Sequence, residues 1–195
     1  AETASESAAP GGGSISAYMG ALAAALGTMV ANLSSHKRGW DDRWKEFSDW
    51  AEQGQGIMGR LLALVDEDTA AFNRIMNALG MPKSTPEEQR SRALEEATLY
   101  ATQVPLKTMK EALGAFPLLR AMACEGNPNS VSDAGVGALA ARSAVLGAYL
   151  NVKINAASLK DRDAAREICT IAQSIADQAV REEREILEIV NTKIG

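Results

Sequence analysis

The chain has 195 residues, 46% hydrophobic and 23% charged, with 25 acidic against 20 basic side chains and a net charge of −5. That length suits one domain with a sizeable core, and the absence of a long basic run argues against a nucleic-acid partner. A single histidine, His36, leaves little room for a His-ligated zinc site or a Ser-His-Asp triad, and the two cysteines, Cys124 and Cys169, lack metal or disulfide spacing and read as reduced, buried thiols of a cytosolic protein.

Helical stretches then follow in chain order. Pro10 to Ser35 carries no charge, so a membrane span has to be weighed. Its apolar residues are mostly Ala and Gly, interspersed with Ser14, Ser16, Thr28 and Asn32, and the flank at Glu2 and Glu6 is acidic where a signal peptide is basic. A buried central helix fits better, N-capped by Ser14 after Gly11-Gly12-Gly13 and running to about Leu33. Its small residues let other helices approach closely, at the centre of a bundle or at a subunit contact. The second stretch runs from about Asp41 to Leu79, and Gly54-Gln55-Gly56 should bend or interrupt it. Trp40, Trp44 and Trp50 read as core or interface packing.

The third stretch begins at Thr85-Pro86-Glu87-Glu88, with Thr85 as N-cap, Pro86 at N1 and Glu88 closing a capping box. It continues to Cys124, but Pro105 should kink or split it near Val104, and Pro117 is a second weak point. After the loop from Gly126 to Ser130, the fourth helix starts near Ser132 or Asp133 and is expected to bury Val136, Leu139, Ala140, Ser143, Leu146 and Leu150. The fifth, from about Asp161 to Val190, buries a stripe of Ile168, Ile171, Ile175, Ala179, Ile186 and Val190. No segment alternates with period two for long enough to argue a strand. The expected fold is all-α, a multihelical bundle of about five long helices in one domain over residues 1–195.

Chemistry is suggested first by the series Leu61, Val65, Asp68, Phe72, Ile75, Leu79, whose spacing of three and four keeps all of them on one helix face. Asp68 is the carboxylate that this face turns inward, while Asp66 and Glu67 fall off it. Such an acid either satisfies a helix end or an Arg across the bundle, or shuttles protons. Gly11, Gly12 and Gly13 run into a helix start and expose N–H groups suited to an anion or a carbonyl, although a linker or a simple cap has the same pattern. It is not a Walker A loop, since no Lys-Ser/Thr pair follows. Lys37 and Arg38 are cations at a helix-to-helix link, the usual composition of solvated surface. Asn151 and Asn155 share a face of the fourth helix, beside the space left by Gly147.

Taken in order, these pieces resemble the formiminotransferase-cyclodeaminase family, which also contains methenyltetrahydrofolate cyclohydrolases of the same helical fold. The resemblance is carried by Pro10-Gly11-Gly12-Gly13-Ser14, by Gly27-Thr28-Met29-Val30-Ala31-Asn32-Leu33 and by Lys37-Arg38. It continues through Leu64-Val65-Asp66-Glu67-Asp68, Pro82-Lys83-Ser84-Thr85-Pro86, Val104-Pro105-Leu106, Gly126-Asn127 and Ser132-Asp133, and ends in Gly147 to Asn155. It covers the chain from about Ser7 onward.

The resemblance implies a cytoplasmic helical homodimer without metal or redox cofactor. It implies conversion of 5-formimidoyltetrahydrofolate to 5,10-methenyltetrahydrofolate and ammonia, with cyclohydrolase activity as the alternative. A non-catalytic helical oligomerisation module is the alternative of another class. Asp68 falls on the family's proposed catalytic aspartate. Gly11, Gly12, Gly13, Ser14, Asp133, Asn151 and Asn155 are then expected to bind the folate ring system, and Lys37 and Arg38 its glutamate tail, polyglutamylated or not. Members carry a further helical turn or two before the glycine loop. This chain begins at Ala1, as a piece of a bifunctional polypeptide or a trimmed stand-alone enzyme would. A formiminotransferase domain in the same or a partner chain is compatible with either.

Overall fold

The computed structural model describes residues 2–195. Its helices are α1 (Gly12–Ser35), α2 (Trp44–Leu79), α3 (Glu87–Leu113), α4 (Phe116–Glu125), α5 (Val131–Ala157) and α6 (Arg162–Ile194), with single 3-10 turns at Glu2–Ala4, Asp41–Arg43 and Pro128–Ser130. Among the described residues there is no strand.

Helix α1 is the axis of the bundle. Its small residues bring α2 and α5 close on two sides, both antiparallel to it. Gly13 sits by Asp68, Gly20 by Leu61 and Gly54 by Thr28 on the α2 side, while Gly12 meets Asn151 and Gly147 meets Ser16 on the α5 side. At the other end of α1 the Ser34 hydroxyl accepts from the Asn127 N–H at 2.8 Å. The α3 helix closes the bundle against α2 and α5, and α6 lies along the outside of α5. Alanines such as Ala17, Ala24, Ala134, Ala138 and Ala148 are fully buried, and the larger core side chains include Phe47, Leu61, Met109, Phe116 and Leu119. By length and composition α1 and the stretch Pro128–Ala157 could each cross a membrane; 61% of the most apolar window of α1 and 44% of that of the second are buried inside the bundle.

Several expectations change. Ser14 is not the cap of α1: Gly11 takes that position and the helix starts at Gly12, which turns Ser14 into its first turn. Helix α2 runs unbroken through Gly54. A Cβ there would lie 2.2 Å from Thr28 Oγ1 and 2.7 Å from Leu118, so this glycine permits a close helix approach, not a bend. Thr85 and Glu88 form no capping box, because Pro86, with ψ 138, is extended and is itself the cap residue. Pro105 leaves α3 whole; the division falls at Gly114 and Ala115, and Pro117 sits in the first turn of α4, where its missing N–H costs nothing.

On α5 the outward and inward faces are exchanged relative to the expectation. Val136, Leu139, Ser143 and Leu150 are exposed, and Ala134, Ala138, Ala141, Ala144, Ala148 and Val152 are buried. This helix is apolar on nearly every side, so periodicity does not select a face; contact with the Ala/Gly surface of α1 does, and favours the small residues. Leu79 is exposed because α2 continues past the start of α1, and Ile171 is exposed on α6, which faces the core through Ala172, Ile175, Ala176 and Ala179. Asp161 caps α6, accepting from the N–H groups of Asp163 and Ala164. Cys124 is exposed and Cys169 half-buried, not the buried pair expected. Of the tryptophans, Trp40 and Trp50 pack on the core and Trp44 is exposed.

Candidate functional site

The register of α2 against α1 delivers Asp68 to the N-terminus of α1. Ser14, fully buried, donates its hydroxyl to Asp68 Oδ2 at 2.8 Å and lies 3.4 Å from the Thr69 hydroxyl. The carboxyl group occupies the space a side chain at position 13 would fill: a Cβ on Gly13 would stand 2.2 Å from Oδ1. Here the first helical N–H groups have no partner within the helix and the helix dipole is positive, so the field at the start of α1 favours a carboxylate, while the direct hydrogen bond to it comes from Ser14. Glycine at 13 is the condition for that approach.

The acids beside Asp68 are committed elsewhere or point away. Glu67 accepts from Lys107 at 2.8 Å and from the Tyr100 hydroxyl at 3.0 Å. The hydrogen bond from Lys107, helped by Tyr100 and opposed by desolvation, holds its carboxyl below the usual range. Burial, then the hydrogen bond to Glu67, raises the Tyr100 phenol. Asp66 is exposed, as its helical phase requires.

Asp68, the glycine turn and the two asparagines surround one cavity of ≈ 200 Å³, closed further by Ala8, Ala9, Phe72 and Ile75. The two amides are fixed in different ways. Asn151 Nδ2 donates back to the Gly147 carbonyl at 2.9 Å on its own helix. Asn155 Nδ2 reaches across to the Ala101 carbonyl on α3 at 2.7 Å. That carbonyl is open because an α-helix would bond it to the N–H of residue 105, and residue 105 is proline. Pro105 therefore leaves an orphaned acceptor inside an intact helix, and Asn155 satisfies it. In the sequence Pro105 and Asn155 stand out separately, one as a helix breaker and the other as an amide beside Asn151; a proline four residues after an inward-facing position is the signal that connects them.

Of the residues singled out in the sequence, Gly11, Gly12, Gly13, Ser14, Asp68, Asn151 and Asn155 come together here. Lys37, Arg38 and Asp133 do not. The first two follow the C-terminus of α1, at the far end of a 24-residue helix that spans about 36 Å. Asp133 is in the first turn of antiparallel α5, at that same far end. Lys37 instead places its ammonium 3.9 Å from the centre of the Trp40 ring, a cation–π contact. Among the described residues no three His, Cys, Asp or Glu side chains converge as metal ligands.

The molecule is thus an α-helical bundle with a serine-held carboxylate at the glycine-rich start of its central helix and an amide-lined cavity beside it. Comparison with known proteins gives this architecture a lineage. Residues 1–174 match the formiminotransferase-cyclodeaminase family, and the chain belongs to that family. It is 35% identical to a methenyltetrahydrofolate cyclohydrolase of Methylorubrum extorquens over 98% of this chain and 93% of the relative. It is 38% identical to a formimidoyltransferase-cyclodeaminase of Rattus norvegicus, over 82% of this chain but only 30% of the relative. The chain thus spans about a third or less of that larger enzyme. A crystal structure of a formiminotetrahydrofolate cyclodeaminase from Thermotoga maritima superposes with a TM-score of 0.88 over 99% of this chain and 93% of that one, at 24% identity, which establishes the fold.

Proposed function

We propose that the cavity takes a tetrahydrofolate one-carbon adduct and that Asp68 moves the protons at the carbon bridging N5 and N10. The observation that carries this is the Asp68 carboxylate, oriented by Ser14 and open to an amide-lined cavity. The cavity lies at the small end for a ligand site, where roughly 300–1,000 Å³ is usual. It suits the reacting end of the substrate, with the remainder leading outside.

Two reactions share one tetrahedral centre. In deamination, N10 attacks the formimidoyl carbon on N5, N10 loses its proton, the former imine nitrogen is protonated and ammonia leaves, giving the methenyl bridge. In hydrolysis, water adds to the methenyl carbon and loses a proton; the resulting hydroxyl then gives up its own proton as one carbon–nitrogen bond opens and the freed nitrogen takes a proton, which leaves a formyl group on the other nitrogen. Each needs a base and then an acid at the same place, and one positioned carboxyl supplies both in turn. The motifs of the sequence, by their resemblance, imply deamination first. The relative aligned over 98% of this chain bears the name of the hydrolytic enzyme, which moves hydrolysis ahead in this proposal. Absorbance of methenyltetrahydrofolate separates them: decay of added methenyltetrahydrofolate well above the buffer rate marks hydrolysis, and its appearance from 5-formimidoyltetrahydrofolate marks deamination. Neither change above background would sink the folate assignment.

The proposed working form is a cytosolic homodimer. Along α1, Tyr18, Leu22, Met29 and Leu33 point outward, and on adjacent α5 so do Val136, Leu139, Leu150 and Ile154. No charge interrupts the α1 part of this face, and an uncharged apolar face of that length is the surface of an interface. The protein should sediment as a dimer at micromolar concentration, and Leu22→Glu combined with Leu150→Glu should yield folded monomers. A monomeric unaltered protein counts against the pairing. Within one chain, Lys37 and Arg38 lie at the opposite end of α1 from this cavity.

A further inference from the structure

The hydrogen bonds that fix the two cavity asparagines also decide which of their atoms meet a ligand. Each amide has one donor end and one acceptor end. Each Nδ2 gives one of its two N–H groups to a main-chain carbonyl, Asn151 to Gly147 and Asn155 to Ala101, and this fixes the way each amide faces. Rotating either amide would set oxygen against oxygen, so the orientation follows from the partners. Neither Oδ1 accepts a hydrogen bond among the described residues, and neither is sealed from solvent as an unsatisfied buried atom. Both residues line the same cavity, so the oxygens are free toward it. They stand one helical turn apart, close to 6 Å along α5.

We infer that Asn151 and Asn155 form an acceptor pair that takes an N–H-bearing edge of the ligand, and that Pro105, acting through the Ala101 carbonyl, is the positioning residue that sets it. With any other residue at 105, its N–H would compete for the Ala101 carbonyl and the Asn155 amide would be free to turn its own donor into the cavity. The pair would then present a mixed edge. The glycine turn across the cavity supplies N–H donors from the start of α1, so the two walls are complementary in sense: acceptors on α5, donors on α1. The choice of ligand rests on the folate reading above; there, the edge facing α5 is the 2-amino side of the pteridine.

The test is calorimetric binding of tetrahydrofolate and of its 2-desamino-2-methyl analogue, which lacks the amino donor. The unaltered protein should prefer tetrahydrofolate by about tenfold, the value of one hydrogen bond. Asn155→Ala should abolish the preference. Pro105→Ala should reduce it several-fold while the melting temperature holds or rises, because alanine restores a helical bond and a better helix former; a purely structural proline would lower stability and binding together. Equal binding of the two compounds by the unaltered protein overturns the acceptor pair. Full preference retained in Pro105→Ala overturns the positioning role. Failure of the unaltered protein to bind tetrahydrofolate overturns the folate reading itself and this assignment with it.

Discussion

Asp68→Asn should fold, bind folate and turn over about 10²–10⁴-fold more slowly, the usual share of general acid–base catalysis. Asparagine keeps the size of the side chain, and its carbonyl can still accept the Ser14 hydroxyl that now reaches Oδ2 at 2.8 Å. What it loses is the ability to gain and release a proton. A structural Asp68 would behave otherwise: its replacement would cost about 1–3 kcal/mol of stability and reduce activity only in proportion to unfolding. Asp66→Asn is the control, since Asp66 is exposed two residues before the acid that faces the cavity. Thermal melts and turnover on the two variants decide between the roles. A stable, folate-binding Asp68→Asn protein with near-original turnover would remove Asp68 from the chemistry.

That Asp68 points inward was legible because α2 has a well-separated apolar face, and a single carboxylate interrupts it. The same logic failed on α5. With Val136, Leu139, Leu150 and Ile154 on one side and a row of alanines on another, the helix offers two apolar faces, and only the surface of α1 determines which is buried. Local rules at the caps failed for a related reason. Ser14 has the identity of a cap residue, but its hydroxyl is claimed by Asp68, which lies 54 positions away in sequence. Pro105 should have broken α3, yet the helix continues because α5 supplies the missing partner for Ala101. In each case the deciding contact is between helices, and no window along one helix contains it. The motif order did group Lys37, Arg38 and Asp133 with the glycine turn, but order along the chain carries no length. The 24 residues of α1 put those side chains at the opposite end of the molecule.

The glycine turn yields the most discriminating expected result. A Cβ at position 13 would stand 2.2 Å from Oδ1, 2.7 Å from Cγ and 2.8 Å from Oδ2 of Asp68, so Gly13→Ala leaves no room for the carboxyl where it now lies. The obstacle is the far end of a flexible side chain, and the neighbouring cavity gives it somewhere to go. The fold should therefore survive, helped by the roughly 0.5–1 kcal/mol by which alanine exceeds glycine in a helix. The carboxyl, however, must swing off the Ser14 hydroxyl and away from the start of α1. A displacement of about 1 Å in a reacting group costs on the order of 10²-fold in rate, so turnover should fall by about that factor. Gly59→Ala provides the comparison: a Cβ there meets nothing within 4 Å, so the melting temperature should hold or rise and turnover should not change. If Gly13 served only as a flexible link into α1, Gly13→Ala would match Gly59→Ala in both measurements. A Gly13→Ala protein with unchanged turnover would show that the place of the Asp68 carboxyl against α1 does not matter to the reaction.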